Sequence, residues 1–298
     1  MAGLAARQND RRFIDLHRAI AVAHRHAQRA HTAALLISVA VAALSVIARA
    51  IPAAASTVAV IGAVWTGFYA IVVAPWAARY QRTSATLQEM LDTELFDLPW
   101  NYVTVGEKLT DDQVSELKYR FRGDEQSLRD YYLVADVRPP YDVLFCLEQN
   151  LGWGSRVRKR YAQLLLTISV LWCAAGVVVG TVADLRIPDL VSTWFVPSLG
   201  LLLLCLDNYR TQLSNTWERS RVREIVVKAS GDPAASPLTT GPEWMVFARQ
   251  VQDVLFQMRR QQPRMPVWFF RRYHDRDKRD FEYRMSLIEA RINTTAQP

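Results

Sequence analysis

Four apolar runs without a charged side chain, grouped in two pairs, constrain this 298-residue chain more than any other feature. Between Arg29 and Arg79 the only charge is Arg49, and between Arg160 and Asp207 the only charges are Asp184, Arg186 and Asp189. A helix needs roughly 20 consecutive apolar residues to cross a bilayer, with a working range of about 17–25. Soluble core helices rarely reach that length uncharged. The runs therefore predict a mainly α, polytopic membrane protein, with four transmembrane helices in two hairpins and a mostly helical cytoplasmic region.

The expected spans are Thr32–Ala48, Ser56–Trp76, Tyr161–Ala183 and Leu190–Leu206. The fourth is short, because only 17 residues separate Asp189 from Asp207. Tyr161, Trp76, Trp172 and Trp194 are assigned to the interfacial belts, Trp172 lying nearer mid-span. Charged residues precede the first run from Arg7 to Arg29, which predicts a retained helix rather than a cleaved leader. The resulting organisation is an N-terminal cytoplasmic helix (1–31), hairpin 1 (32–82), a cytoplasmic insertion (83–160), hairpin 2 (161–207) and a cytoplasmic C-terminal region (208–298).

Basic residues set the orientation. Arg7, Arg11, Arg12, Arg18, Arg25 and Arg29 precede span 1, and Arg156, Arg158, Lys159 and Arg160 precede span 3. Arg210, Arg219, Arg221 and Arg223 follow span 4, whereas the two short turns hold only Arg49 and Arg186. The positive-inside bias places both termini and the insertion in the cytoplasm. Little remains outside to bind an external ligand.

No Asp, Glu, Lys, Arg or His falls within the spans, which argues against a proton-coupled transporter or a voltage sensor. Small residues crowd span 1, and Gly176 and Gly180 form a GxxxG step in span 3 that permits close helix packing. That packing is either within the chain or between subunits. One tight four-helix bundle leaves no room for a wide pore, so any pore requires a homo-oligomer.

Outside the membrane, the N-terminal segment reads as a helix continuous with span 1. On it His17, His24 and His31 recur every seven residues, as a solvated or headgroup-facing stripe, a metal stripe or a pH-sensitive seam. Leu87 to Leu95 reads as a short helix stopped by Pro99, with Tyr102–Val105 as a strand or extended arm. Helices are expected from Asp111 to Phe121 and from Tyr141 to Asn150. The tail extends span 4 to about Val227, crosses a loop at Ser230–Pro242 and forms an amphipathic helix through Trp244, Phe247, Val251, Val254, Leu255 and Met258. The aromatic cluster Trp268–Phe270 either docks on the inner leaflet or packs on the protein's own core. Asp275–Arg291 reads as a solvated charged helix.

Chemistry is scarce. The three cysteines lack a paired framework or CxxC spacing, and no HExxH, P-loop, GxSxG or EF-hand pattern occurs. The expectation is no enzyme, no cofactor and no metal site. Once Arg156–Arg160 are set aside the insertion is acidic, so neither DNA nor RNA is an expected partner.

One stretch is more specific. Gln88–Asn101, reading QEMLDTELFDLPWN, resembles the junction after the second span in the SMODS-associating four-transmembrane effectors. Asn150–Ser155, continuing through Arg158 and Arg160 to Tyr161-Ala162, is a second match. A third is Arg259-Arg260, Pro263, Pro266 and Trp268–Phe270. Phe96-Asp97 stands where the family pattern has a small, often Gly-containing step. The resemblance implies a pore-forming effector of bacterial anti-phage defence, in the inner membrane. A cyclic nucleotide from a neighbouring nucleotidyltransferase, directly or through a partner, would switch it to permeabilise that membrane and arrest or kill the infected cell. An anionic nucleotide calls for arginines and stacking aromatics. Trp100, Asn101, Trp153, Arg158 and Arg160 are accordingly the candidate ligand-binding or gating residues. The alternative is a non-conducting membrane scaffold that recruits a cytoplasmic partner.

Overall fold

The computed structural model describes residues 3–48, 51–133, 139–231 and 243–262, together with 265, 266, 268–270, 272, 273, 279, 282, 283 and 286. Among them no strand occurs. A single turn, α1 (Leu4–Arg7), precedes α2 (Arg11–Ala48), which carries span 1 and the segment before it in one unbroken helix, as expected. Span 2 begins with α3 (Pro52–Phe68), passes through a π-helical turn at Tyr69–Val73 and continues as α4 (Ala74–Leu95).

The continuation into α4 corrects the sequence reading, which ended span 2 at Pro75-Trp76 and began a new helix at Leu87. Proline lacks an N–H, and its ring collides with the carbonyl four residues earlier. Here that earlier residue, Ile71, lies within the π-turn, whose wider bonding carries the helix past Pro75. Span 4 repeats the device. Residues Ile187–Leu190 form α9, Val191–Phe195 a second π-turn, and Val196–Gly231 the long helix α10, numbered after α8 below; Pro197 falls four residues beyond Thr193 of that turn. The fourth span is thus the start of a helix that runs without a break into the polar body.

After α4 the chain turns at Asp97, which takes a left-handed φ of 54°. The Leu98 N–H bonds the Thr93 carbonyl at 2.8 Å, closing a Schellman-type cap on the helix. That turn, ahead of Pro99, ends α4. Residues Tyr102–Val105 form the helical turn α5 instead of a strand or arm, because the Asn101 side chain caps it, accepting from the Val103 and Thr104 N–H groups at 3.1 Å each. A capping box at Thr110 and Gln113 starts α6 (Asp111–Tyr119). Next come α7 (Tyr141–Gly152) and α8 (Ser155–Val182), which carries span 3. Helix α11 (Glu243–Gln261) lies in the tail.

The four long helical stretches, Arg11–Ala48, Ala54–Leu95, Tyr141–Val182 (α7 followed by α8) and Ile187–Ser230, are each long and apolar enough to cross a membrane. Span 4 packs against spans 1, 2 and 3. Span 4 meets span 2 at Gly62, where a Cβ would collide with the backbone of Pro197. Gly176 and Gly180 face Trp194 and Leu190 of the same chain. Trp172 and Trp194 stack at 4.8 Å, and the Trp172 indole donates to Ser198 Oγ at 2.8 Å. This pair therefore binds span 3 to span 4 and does not join an interfacial belt.

Below the bundle the N-terminal helix, the insertion and the tail share one apolar core. It joins Phe13, Leu16 and Ile20 of α2 to Leu87, Leu91 and Leu95 of α4, to Leu144, Leu147 and Leu151 of α7, and to Val251, Leu255 and Met258 of α11. The His stripe faces inward, which corrects the solvated reading. His17 and His31 are buried; His17 lies 4.6 Å from the Tyr131 ring and His31 Nε2 is 3.5 Å from the Tyr161 hydroxyl. No metal-holding cluster occurs among the described residues. Phe269 packs on Tyr161 at 5.2 Å, while Trp268 beside it is exposed. The expected loop at Ser230–Pro242 and the charged helix Asp275–Arg291 fall almost wholly outside the described residues.

Candidate ligand-receiving and gating site

Two features of the polar body lie on helices that continue into the spans: a buried ionic clamp on α4, and a cationic pocket at the root of α8. The clamp forms because α4 turns Glu89 and Asp92 into the interior, where both are fully buried. An uncompensated carboxylate there would be prohibitively costly, so partners must reach it. They come from one face of α11. Arg249 pairs with Glu89, and the Gln252 amide bridges Glu89 Oε2 at 3.0 Å and Asp92 Oδ2 at 2.9 Å. Arg259 Nη1 bonds Asp92 Oδ2 at 2.7 Å.

The network then spreads. The Tyr132 hydroxyl donates to Asp92 Oδ1 at 2.6 Å and accepts from Asn150 Nδ2 at 2.8 Å, tying in α7. Arg219 of α10 donates to the Asn150 carbonyl at 2.6 Å. Burial pushes the Glu89 carboxyl up to about 7 against the opposing pull of Arg249. Burial also disfavours charge on Arg259, but Asp92 beside it raises its pKa overall. Sequence reasoning assigned α11 only an apolar face. Its polar residues Arg249, Gln252 and Arg259 recur at helical spacing beside that face, a signal that has meaning only once the acids of α4 are opposite.

The pocket lies where α7 meets α8. Gly154 takes a left-handed φ of 70°, which breaks the helix between α7 and α8, and the first turn of α8 has no side-chain cap. Gly152, Trp153, Ser155, Arg156 and Lys159 meet Thr216, Trp217, Ser220 and Arg223 of α10 around a cavity of about 310 Å³. Trp217 is 70% exposed. Helix N-terminal amides, two indoles and three cations, of which Arg223 also pairs with the buried Glu148 at 2.8 Å, suit this cavity to an anion that also has flat apolar faces.

The five candidate residues separate. Trp153 lines the pocket. Arg158 folds back, Nη1 donating to the Trp153 carbonyl at 2.9 Å, and burial lowers its pKa to about 10. The Arg160 guanidinium lies over the Tyr273 ring at 4.8 Å, joining the root of span 3 to the tail. Trp100 and Asn101 lie elsewhere, beside the clamp. The Trp100 indole donates to the Gly106 carbonyl at 2.9 Å, and Asn101 Nδ2 donates to Asp253 of α11 at 3.0 Å. Asp253 in turn accepts from Arg249 at 2.9 Å. Arg156, Lys159 and Arg223 were visible only as positive-inside flanks, because nothing local tells a pocket cation from an anchoring one.

Fold and site define a class: a polytopic α-helical membrane protein whose spans are the upper ends of helices rooted in a single polar body. Residues 3–288 match the SMODS-associating 4TM effector domain, and the chain belongs to this family. It is also 25% identical over 241 residues to a protein of Bacillus cereus (strain VD146) described as a probable CBASS effector molecule, covering 79% of this chain and 77% of that one. No solved structure matches it at a significant level.

Proposed function

We propose that this chain is an anti-phage membrane effector of the bacterial inner membrane, held closed by the clamp between α4 and α11 and opened from the cytoplasm. The polar body, with both termini, occupies the cytoplasmic side, a placement that the arginine flanks support. The observation that carries the reading is continuity. α2, α4, α8 and α10 each run from the polar body into a span, and α4 is the helix that α11 grips. A shift of α11 is therefore a shift of span 2.

The pocket at the root of α8 receives the signal, an anionic cyclic nucleotide. Trp153 stacks on a base, Arg156, Lys159 and Arg223 meet the phosphates, and Arg158 positions Trp153. Trp100 and Asn101 tie α4 to α11 and belong to the gate, as does Arg160 through Tyr273. Such a ligand opens the protein only if it binds the open state more tightly than the closed one. The pore itself is formed by several copies, because spans 1 to 4 pack together too closely within one chain.

Dye release from liposomes containing the full-length protein tests this. Leakage should appear on addition of a cyclic nucleotide and vanish in Arg156→Glu/Lys159→Glu, with membrane insertion intact. Unchanged leakage in that variant would remove the pocket from the mechanism. Silent liposomes under every cyclic nucleotide would favour the non-conducting scaffold.

A further inference from the structure

The aromatic turn that follows α11 has two faces. The Phe269 and Phe270 N–H groups bond the Pro266 carbonyl at 3.2 Å each, and the chain is helical at 268–270 and again at 272 and 273. Residues four apart share one side of a helix. Phe269 and Tyr273 form the inner side. Their rings lie 5.3 Å apart, Phe269 lies 5.2 Å from Tyr161, and the Arg160 guanidinium lies 4.8 Å from the Tyr273 ring. Trp268 and Arg272 form the outer side; both are exposed, Trp268 by 62%.

What the inner side touches fixes the height of this turn in the molecule. Tyr161 is the first residue of span 3. Met265 and Phe269 share one apolar cluster with Leu165 of span 3 and with Leu201 and Cys205 of span 4. The amide of Gln28, four residues ahead of Thr32 where span 1 begins, donates to the Met265 carbonyl. The turn therefore sits where three spans pass from the apolar zone into the polar body, which is the level of lipid headgroups. An outward indole at that level buries its ring against acyl chains and keeps its N–H among polar groups. A guanidinium on the same side meets the phosphate oxygens of the layer.

We propose that Trp268 and Arg272 form a membrane-docking face that holds the tail on the headgroup layer of an anionic bilayer, the indole in the interface and the guanidinium on lipid phosphate. Continuity selects the bilayer over a protein partner, because the face borders the surface that the spans present to lipid. Charge selects anionic lipid: Arg156, Lys159 and Arg160 precede Tyr161 on α8, so the protein beside the turn is basic as well. The turn begins seven residues after α11 ends, so the bilayer holds the clamp helix by its C-terminal end. The face stands independently of the nucleotide pocket.

Tryptophan fluorescence of the full-length protein in vesicles of phosphatidylethanolamine and phosphatidylglycerol tests the assignment, with Trp268 read as the difference between wild type and Trp268→Phe. Both side chains are exposed, so neither this variant nor Arg272→Gln threatens folding. The difference signal should be blue-shifted, quenched by phospholipid brominated high on the acyl chain, and protected from acrylamide in the water. In vesicles of phosphatidylcholine alone, or in Arg272→Gln, lipid quenching should fall and acrylamide quenching should rise. A signal open to acrylamide and untouched by brominated lipid would overturn the proposal, since it would put Trp268 in solvent. A signal shielded from both quenchers would overturn it too, because a second copy or the rest of the tail would then cover the face. Lipid quenching unchanged by phosphatidylcholine and by Arg272→Gln would overturn the anionic assignment.

Discussion

Asp97 and His17 illustrate how much rests on single positions. The cap of α4 requires a residue in the left-handed region. Asp97 occupies that backbone without glycine's freedom and is held by Arg7, Nη1 to Oδ2 at 2.7 Å. Thermal unfolding of the detergent-solubilised protein should show Asp97→Gly close to wild type and Asp97→Ala less stable by about 1 kcal/mol, the usual cost of a left-handed alanine. His17 is buried against Tyr131, and desolvation lowers its pKa from 6.5 to about 4. The unfolded chain therefore binds the proton more readily than the folded one. Stability from this group is full above pH 6.5 and declines as pH falls towards 4, with a slope of at most about 1.4 kcal/mol per pH unit. Glu89, with its raised pKa, contributes in the opposite direction, so the contribution of His17 is read as a difference. In melts between pH 7 and 4.5, His17→Gln should lose less stability than the wild type.

At the scale of elements, the contact between α4 and α11 is ionic where most helix pairs are apolar. Asp92 and Arg259 are both buried, and removing one partner leaves the other charge stranded. Asp92→Asn should destabilise the fold by about 3–5 kcal/mol, measured by thermal or denaturant unfolding in detergent. A loss below 1 kcal/mol would mean that the pair is solvated. The helices themselves were legible in the sequence, since uncharged length and 3.6-residue periodicity are local properties. The continuation of span 2 through Pro75 was not. Proline is a helix breaker by local rules, and the π-turn that accommodates it has no residue signature. Tyr102–Val105 reads as a strand by propensity, but one capping side chain at Asn101 decides for a helical turn.

For the whole molecule, the shared core implies that the N-terminal helix, insertion and tail open together. Hydrogen exchange on Asp92→Asn should show lost protection in α11 spreading to α7 and to the N-terminal half of α2; loss confined to α11 would mark it as a separate unit. The four spans, their two-hairpin grouping and the polar mass between them followed from the sequence alone, because charge exclusion from hydrocarbon acts on every residue independently of its neighbours. The family was legible too, in the LPWN corner whose role is to carry the chain from the cap of α4 to Asp253 of α11. The clamp and the inward His stripe depend on residues more than a hundred positions apart, such as Asp92 with Arg259 and His17 with Tyr131, and the pocket at the root of α8 on residues more than fifty apart. Only the tertiary structure could bring those together, since burial of a charge or an acceptor is defined by what packs opposite it.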